Sequence, residues 1–311
     1  MSKILVTGGA GFIPSYLAEK LAEDKENKVV IVDNLLTGDK KKIPTSKYNN
    51  IHFIKCDCND YKDISAVFYA NHFDYVFHYA AVVGVQRTLK NPVMVLDDIR
   101  GIENILSLSK NTGVKRVFFS SSSEVYGEPV EFPQNEETTP LNSRLPYAIV
   151  KNVGEAYFKS YYEEYGLNYT IFRFFNTYGP KQSKDFVVSK FIAAALKNKD
   201  ITIYGDGSQT RTFCFVKDNV DTCVATLYEN KCVNEVINVG GEVEFSILDL
   251  AKLIIKVTKS SSQIKFLPAL KEGDMTRRQP DNTKMKEILN RDLIPLEEGL
   301  RKLLNDTSYI I

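Results

Sequence analysis

Lys3-Ile-Leu-Val-Thr-Gly-Gly-Ala-Gly-Phe-Ile-Pro14 opens the chain, and its order of residue types decides the fold. Lys3 to Val6 read as a short buried strand and Thr7 to Gly11 as a glycine turn. From Phe12 onward, apolar residues at Ile13, Leu17 and Leu21 fall on one helical face. A strand, a glycine turn and a helix N-terminus together make an anion site. The turn brings backbone N–H groups, including those of Phe12 and Ile13, to a diphosphate, and the helix dipole favours its charge. Gly8 and Gly11 stand where a Cβ would obstruct the turn or the phosphate. Pro14 replaces the third glycine of this spacing. Proline is tolerated in a first helical turn, where its missing N–H has no intrahelical partner. A slightly displaced helix is expected, not a lost site.

Val29-Val-Ile-Val-Asp33 is a second apolar strand ending in an acid, about 20 residues past the turn as a dinucleotide site requires. Asp33 accepts hydrogen bonds from ribose hydroxyls and repels a 2′-phosphate, which selects NAD over NADP. Asn34 begins a polar, Lys-rich loop fit to border that ribose. After a third strand, Ile51 to Lys55, Asp57 either meets the adenine edge or caps the next helix, and Cys58 borders the same pocket. Asp60 or Asp63 caps a short helix through Ala70. Tyr75 to His78 is a fourth strand, and the small Ala80 after it lets a cofactor lie against the backbone.

A long helix follows from about Pro92 to Lys110, with Val95, Ile99, Ile102 and Leu106 on one face. Val117 to Ser120 is the fifth strand, Tyr147 to Tyr165 a helix and Tyr169 to Phe174 the sixth strand. Strict alternation of strand and helix predicts a Rossmann-type α/β fold, a doubly wound parallel sheet, over residues 1–175. From 176 to 311 shorter elements predict a smaller mixed lobe at the C-terminal side of the sheet, with some chain crossover between the lobes.

Composition excludes several classes. In 311 residues, 43% hydrophobic and 25% charged content suits a soluble globular protein with a sizeable core. The net charge of +1 gives no reason for nucleic acid or an anionic membrane as partner. No apolar run approaches the ~20 residues of a membrane span, and the N-terminus lacks signal-peptide character. The five cysteines and three histidines lack metal-ligand spacing, so reduced thiols in the cytoplasm and no metal are expected.

Tyr147-Ala-Ile-Val-Lys151 sets a phenol and an ammonium at i and i+4 on one helical face. Tyrosine is a poor base at neutral pH, with a pKa of about 10, unless a neighbouring cation stabilises its phenolate. Ser122, at the end of the fifth strand, offers a hydroxyl to the same substrate oxygen. This set removes a proton from a sugar alcohol while the carbon gives a hydride to NAD. Glu124 either acts on the sugar ring or is structural.

With these marks the chain resembles the extended short-chain dehydrogenase/reductase family, within it the nucleotide-sugar epimerase, dehydratase and decarboxylase group. Further marks are His78-Tyr-Ala-Ala81, Ser122-Ser-Glu-Val-Tyr-Gly127, Arg173-Phe-Phe-Asn-Thr-Tyr-Gly-Pro180, Tyr204-Gly-Asp-Gly-Ser-Gln-Thr-Arg211 and Gly273-Asp-x-x-Arg-Arg278. The resemblance implies a nucleotide diphosphate sugar as substrate. Asn176 then contacts the sugar diphosphate, Arg211 and Arg277 neutralise it, and a stretch beginning Phe186-Val187 borders the base. It also implies a homodimer formed through the helices at about Asp98 to Lys110 and Tyr147 to Tyr165.

Members of the group begin by oxidising the sugar, usually at C4. The dehydratases resemble Thr-Asp-Glu where this chain reads Ser122-Ser123-Glu124, which disfavours dehydration. The glucuronate decarboxylases share the tail at Arg277 to Asp281 but tend to carry Arg where this chain has Asn152. A 4-epimerase or C4 dehydrogenase of surface polysaccharide precursors is the expectation, with decarboxylation as the alternative. A non-catalytic NAD-binding sensor is disfavoured, since both Tyr147 and Lys151 are present. Asp98 is a second departure, standing where the family usually has Asn.

Overall fold

A computed structural model describes residues 1–269 and 276–310. The chain begins β1 (Lys3–Thr7), α1 (Phe12–Ala22), β2 (Lys28–Asp33), β3 (Ile51–Lys55), α2 (Tyr61–Asn71) and β4 (Tyr75–His78). It continues with α3 (Val85–Lys90), α4 (Pro92–Leu96), α5 (Asp98–Thr112), β5 (Arg116–Ser122), α6 (Pro146–Tyr165) and β6 (Tyr169–Phe174). Next come β7 (Thr177–Tyr178), α7 (Val187–Ala195), β8 (Ile201–Tyr204), β9 (Thr210–Thr212), β10 (Cys214–Phe215) and α8 (Val216–Tyr228). The chain ends with β11 (Glu235–Val239), β12 (Glu244–Ser246), α9 (Ile247–Thr258), β13 (Ile264–Leu267), β14 (Arg277–Arg278), α10 (Thr283–Leu289) and α11 (Leu296–Leu304).

Seven strands form the main sheet in the order β11-β6-β5-β4-β1-β2-β3. The printed registers β1 with β2, β1 with β4, β2 with β3 and β4 with β5 are all parallel. A parallel sheet covered on both faces needs near-continuous apolar strands. β1, β2, β4 and β5 meet that need: Leu5, Val30, Val32, Val76 and Val117 are all buried. Strand order reverses between β1 and β4, so the carboxyl ends of these two strands form the crevice where such sheets hold ligands. This is the Rossmann-type α/β fold that the alternating pattern predicts.

Packing divides the chain into two units. The first comprises Met1–Val125, Ser143–Arg173 and Val220–Ile237, and the second Tyr126–Asn142, Phe174–Asn219 and Asn238–Ile311. Most of α8 and of β11, although beyond residue 176, thus lies in the first unit. Glu235-Val-Ile-Asn-Val239, with three β-branched residues in five, reads as that strand. The expected helix Pro92 to Lys110 is two helices, interrupted at Asp97, which sits between α4 and α5. α5 and α6 both stop at glycines in the left-handed region, Gly113 (φ 76°) and Gly166 (φ 70°), which terminate a helix without Cβ strain.

The core of the first unit is aromatic around β4 and β5. Phe77 and Phe118 stack at 4.2 Å, and Phe119 stacks on Phe158 of α6 at 4.8 Å. Each fully buried ring contributes roughly 1.5–3 kcal/mol relative to exposure. Among its described residues the second unit has three small sheets, β10-β7, β12-β9-β14 and β13-β8. Its core gathers Tyr178, Phe213 and Phe215, with Gly299 of α11 leaving room for the Tyr178 ring. Among the described residues no helix is long and apolar enough to cross a membrane.

Candidate active site

The turn after β1 and the segment after β4 are built as one piece. Thr7 Oγ1 accepts the N–H groups of Tyr79 (3.0 Å) and Ala80 (2.9 Å) and lies 3.0 Å from His78 Nδ1. Sequence reasoning gave Thr7 no role, because its partners lie more than seventy positions away. Gly8 has φ +73°, and a Cβ there would fall 2.9 Å from the Ala80 Cα. Only glycine combines that backbone with so close an approach.

Gly11 precedes α1 with no side-chain cap, and the first turn carries no acid. The N–H groups of Phe12 and Ile13 thus stand at a helix N-terminus that no side chain caps among the described residues. Pro14 is buried in that turn, and its ring lies 3.2 Å from where a Cβ at Gly11 would fall. Asp33 Oδ2 accepts the N–H of Ala10 (3.0 Å) and Oδ1 that of Leu35 (2.7 Å). Burial pushes the Asp33 carboxyl up, while those two N–H groups and the Lys42 charge pull it back. A carboxylate has about four acceptor sites, so two backbone partners leave capacity for ribose hydroxyls. An open helix N-terminus, a turn closed to any Cβ and a fixed carboxylate fit a dinucleotide.

Asn34 and Asp57 meet: Asn34 Nδ2 donates to Asp57 Oδ2 at 3.1 Å. Of the two readings of Asp57, the helix cap is overturned. Asp60 caps α2 by accepting from Lys62 and Asp63, and Asp57 Oδ1 instead accepts the N–H of Asn59. The Cys58 side chain is buried, and its carbonyl accepts from Asn104 Nδ2 (2.9 Å).

α6 places Tyr147, Lys151 and Glu155 at successive i+4 positions on one face. Gly154 permits α6 to approach β5, since a Cβ there would lie 2.5 Å from the Phe119 ring. Lys151 is 3% exposed. Its Nζ reaches Ser120 Oγ at 3.5 Å and lies 4.8 Å from the Phe119 ring centroid and 5.7 Å from that of Tyr147. Burial lowers the Lys151 ammonium to about 8, and the Asp98 carboxylate opposes the shift. His78 is brought to about 3 by burial, with Lys151 adding to it, so its ring is neutral. Ser122 ends β5, its Oγ accepting the N–H of Glu124 at 3.2 Å.

Ser121, between Ser120 and Ser122, donates to Glu155 Oε1 at 2.6 Å. Arg173 of β6 closes on the same carboxylate with Nε to Oε1 (2.9 Å) and Nη2 to Oε2 (2.7 Å). This buried clamp ties α6, β5 and β6 together beside Lys151. Its sequence signal was available: Glu155 continues the four-residue step of Tyr147 and Lys151.

In the second unit, Asn176 has φ 35° and donates from Nδ2 to the Thr212 carbonyl at 3.0 Å. Phe186 precedes α7 in extended conformation and Val187 begins it. Register separates the two implied arginines. Arg277 lies opposite Thr210 and Arg278 opposite Arg211 in the parallel pair β14 with β9. Side chains alternate along a strand, so Arg211 shares its sheet face with Arg278, and Arg277 projects from the other. Arg277 there forms its own fork on Glu244, Nε to Oε1 (2.8 Å) and Nη2 to Oε2 (2.7 Å), and stacks 4.3 Å from the Phe132 ring. Gly273 and Asp274 of the same sequence mark lie outside the described residues.

Residues 4–240 match the model of the NAD dependent epimerase/dehydratase family. UDP-glucuronic acid decarboxylase 1 of Danio rerio is 36% identical over 311 residues, spanning 97% of this chain and 72% of the relative. The structure of UDP-glucose 4-epimerase with UDP-glucose from Thermotoga maritima superposes with a TM-score of 0.91 at 34% identity, covering 99% and 98% of the two chains. That of UDP-glucuronic acid 4-epimerase from Bacillus cereus, in complex with UDP-glucuronic acid and NAD, gives 0.89 at 30% identity, covering 99% and 98%. The family match over most of the chain and the full-length likeness to these relatives show that the chain belongs to the NAD dependent epimerase/dehydratase family.

Proposed function

We propose that this protein oxidises the C4 hydroxyl of a UDP-linked sugar and returns the hydride to the opposite face, a 4-epimerisation in the synthesis of surface polysaccharide precursors. The observation that carries the reading is the buried Lys151 ammonium one helical turn from Tyr147. Bound NAD supplies the hydride acceptor at C4 and afterwards the donor. Tyr147, as phenolate, takes the O–H proton while C4 loses its hydride and the carbonyl forms. Lys151 holds the phenolate by its charge, and the Ser122 hydroxyl donates to the same sugar oxygen. After the keto-sugar turns over, Tyr147 gives the proton back to that oxygen. Glu124 takes a part only if the ring itself is altered.

In this reading Gly8, Gly11, Phe12 and Ile13 hold the cofactor diphosphate. Asp33 and Asn34 hold the ribose, and Asp57, Cys58 and Ala80 border the nucleotide. Asn176 and Arg211 take the sugar diphosphate, joined by Arg278, which shares the Arg211 face, in preference to Arg277. Phe186 and Val187 border the uracil. Similarity to enzymes that act on UDP-sugars supports the choice of base. Pairing of two copies through α5 and α6 belongs to the same proposal.

One observation favours a second reading. The Arg277 to Asp281 tail resembles that of glucuronate decarboxylases, and such enzymes are among the relatives. Both readings share C4 oxidation; a C6 carboxylate beside the new ketone would leave as carbon dioxide. The test is a panel of UDP-glucose, UDP-N-acetylglucosamine and UDP-glucuronate, followed by product mass and by NADH absorbance. Unchanged mass with inverted C4 is the expected outcome, and Tyr147→Phe should slow it by about 10²–10⁴-fold. Loss of carbon dioxide would replace epimerisation by decarboxylation, and accumulating NADH would make the protein a C4 dehydrogenase. Equal turnover by wild type and Tyr147→Phe would overturn the assignment of the base.

A further inference from the structure

We propose that Asp98 is the counter-ion of Lys151, a positioning residue that keeps the ammonium charged inside its buried site. The proposal rests on the reading of Tyr147 and Lys151 as the proton-transferring pair. Asp98 occupies the first turn of α5, fixed from two sides. Its Oδ2 accepts the Val82 N–H at 2.7 Å, from the segment after β4, and its Oδ1 faces Asn59 Nδ2 at 3.5 Å, from the segment after β3. α5 packs directly on α6, the helix that carries Lys151, and a Cβ at Gly154, about one turn after Lys151, would lie 3.1 Å from Ile102, one turn after Asp98, so the first turns of the two helices face each other.

A buried ammonium is costly unless it is paired. The groups that face Lys151 are the Ser120 hydroxyl from β5, the rings of Phe119 and Tyr147, and His78 from β4, which stays neutral. Burial pushes the Asp98 carboxyl up, and the Val82 N–H, the Lys151 charge and Asn59 pull it back, while Asp98 in turn favours the charged form of Lys151. Asp57 acts on Asp98 with like charge, and the Cys58 thiol is pushed well up by burial and stays neutral. An Asn at 98, usual in the resembling family, could accept from Val82 equally well. It would supply no charge. The carboxylate therefore adds an electrostatic function to an anchoring one.

Asp98→Asn separates the two, since the amide oxygen keeps the Val82 contact. The first measurement is a double-mutant cycle of urea unfolding with Asp98→Asn and Lys151→Met at pH 7, with Lys151→Gln in place of Lys151→Met should the latter not fold. It needs no substrate. Asp98→Asn should destabilise the Lys151 protein and be neutral or stabilising where the ammonium is gone. The second is the pH profile of NAD-dependent turnover. Activity that needs the charged lysine falls as pH rises through its pKa, and this alkaline limb should move down by about half to one unit in Asp98→Asn. A cycle that closes to zero, or an unmoved limb, would overturn the proposal. A non-zero cycle in a protein inactive on every UDP-sugar would instead overturn the catalytic reading and leave the counter-ion standing.

Discussion

Two arginine–glutamate forks in this molecule have nearly the same bonds and opposite surroundings. In the first unit Arg173 meets Glu155 through Nε at 2.9 Å and Nη2 at 2.7 Å, with both side chains 2% exposed. In the second unit Arg277 meets Glu244 at 2.8 and 2.7 Å, with exposures of 42% and 21%. Geometry alone does not rank them. A buried pair has given up its hydration, so removing one partner strands a charge. A half-exposed pair is screened, and each partner returns to water at small cost. The first fork is a fixture of the fold beside Lys151; the second is an exchangeable contact at a sheet surface.

The most severe way to break the comparison is Glu155→Gln. It leaves the Arg173 guanidinium buried without its carboxylate and disturbs the Ser121 contact on β5. Loss of one partner of such a pair costs about 3–5 kcal/mol. Urea unfolding should show a loss of that order. A loss below about 1 kcal/mol would mean that water reaches the site and that the two forks are alike. Arg173→Lys sharpens the point at lower cost. The charge stays, but an ammonium cannot reproduce the planar fork. The expected loss is about 1.5–3 kcal/mol, one charge-assisted hydrogen bond.

The same contrast explains what the sequence disclosed. The glycine turn, Asp33 and the Tyr147–Lys151 pair are local patterns, each set by spacing within one strand–turn–helix unit or one helix. They were legible for that reason. Asp98 was legible as a departure, while its meaning depended on Val82, Asn59 and Lys151, which other elements bring to it. Thr7 was silent because its partners lie on β4 and just after it. The face on which Arg277 projects follows from the register of β14 on β9, which no local pattern encodes. Glu155 stood one turn beyond Lys151 and was overlooked, because a lone acid on a helix usually faces solvent.

Glu244→Gln should have the smallest effect, and its conditions make it the most discriminating. Arg277 holds the Glu244 carboxyl below its usual range, chiefly through the hydrogen-bonded fork, with Thr210 adding a further contact. A carboxyl depressed in the folded state adds stability above its unfolded pKa and loses it as pH falls through the folded one. Exposure discounts that contribution, so the variant should lose no more than about 1 kcal/mol at pH 7. The gap to wild type should close on acidification past the ordinary carboxylate range. It should also narrow at about 1 M salt, where the screening length falls to about 3 Å. Thermal melts of both proteins across pH and salt check each point. A gap that ignored salt and persisted into acid would show that the amide and the carboxylate differ in packing, not in charge. The second fork would then belong with the first as part of the fold.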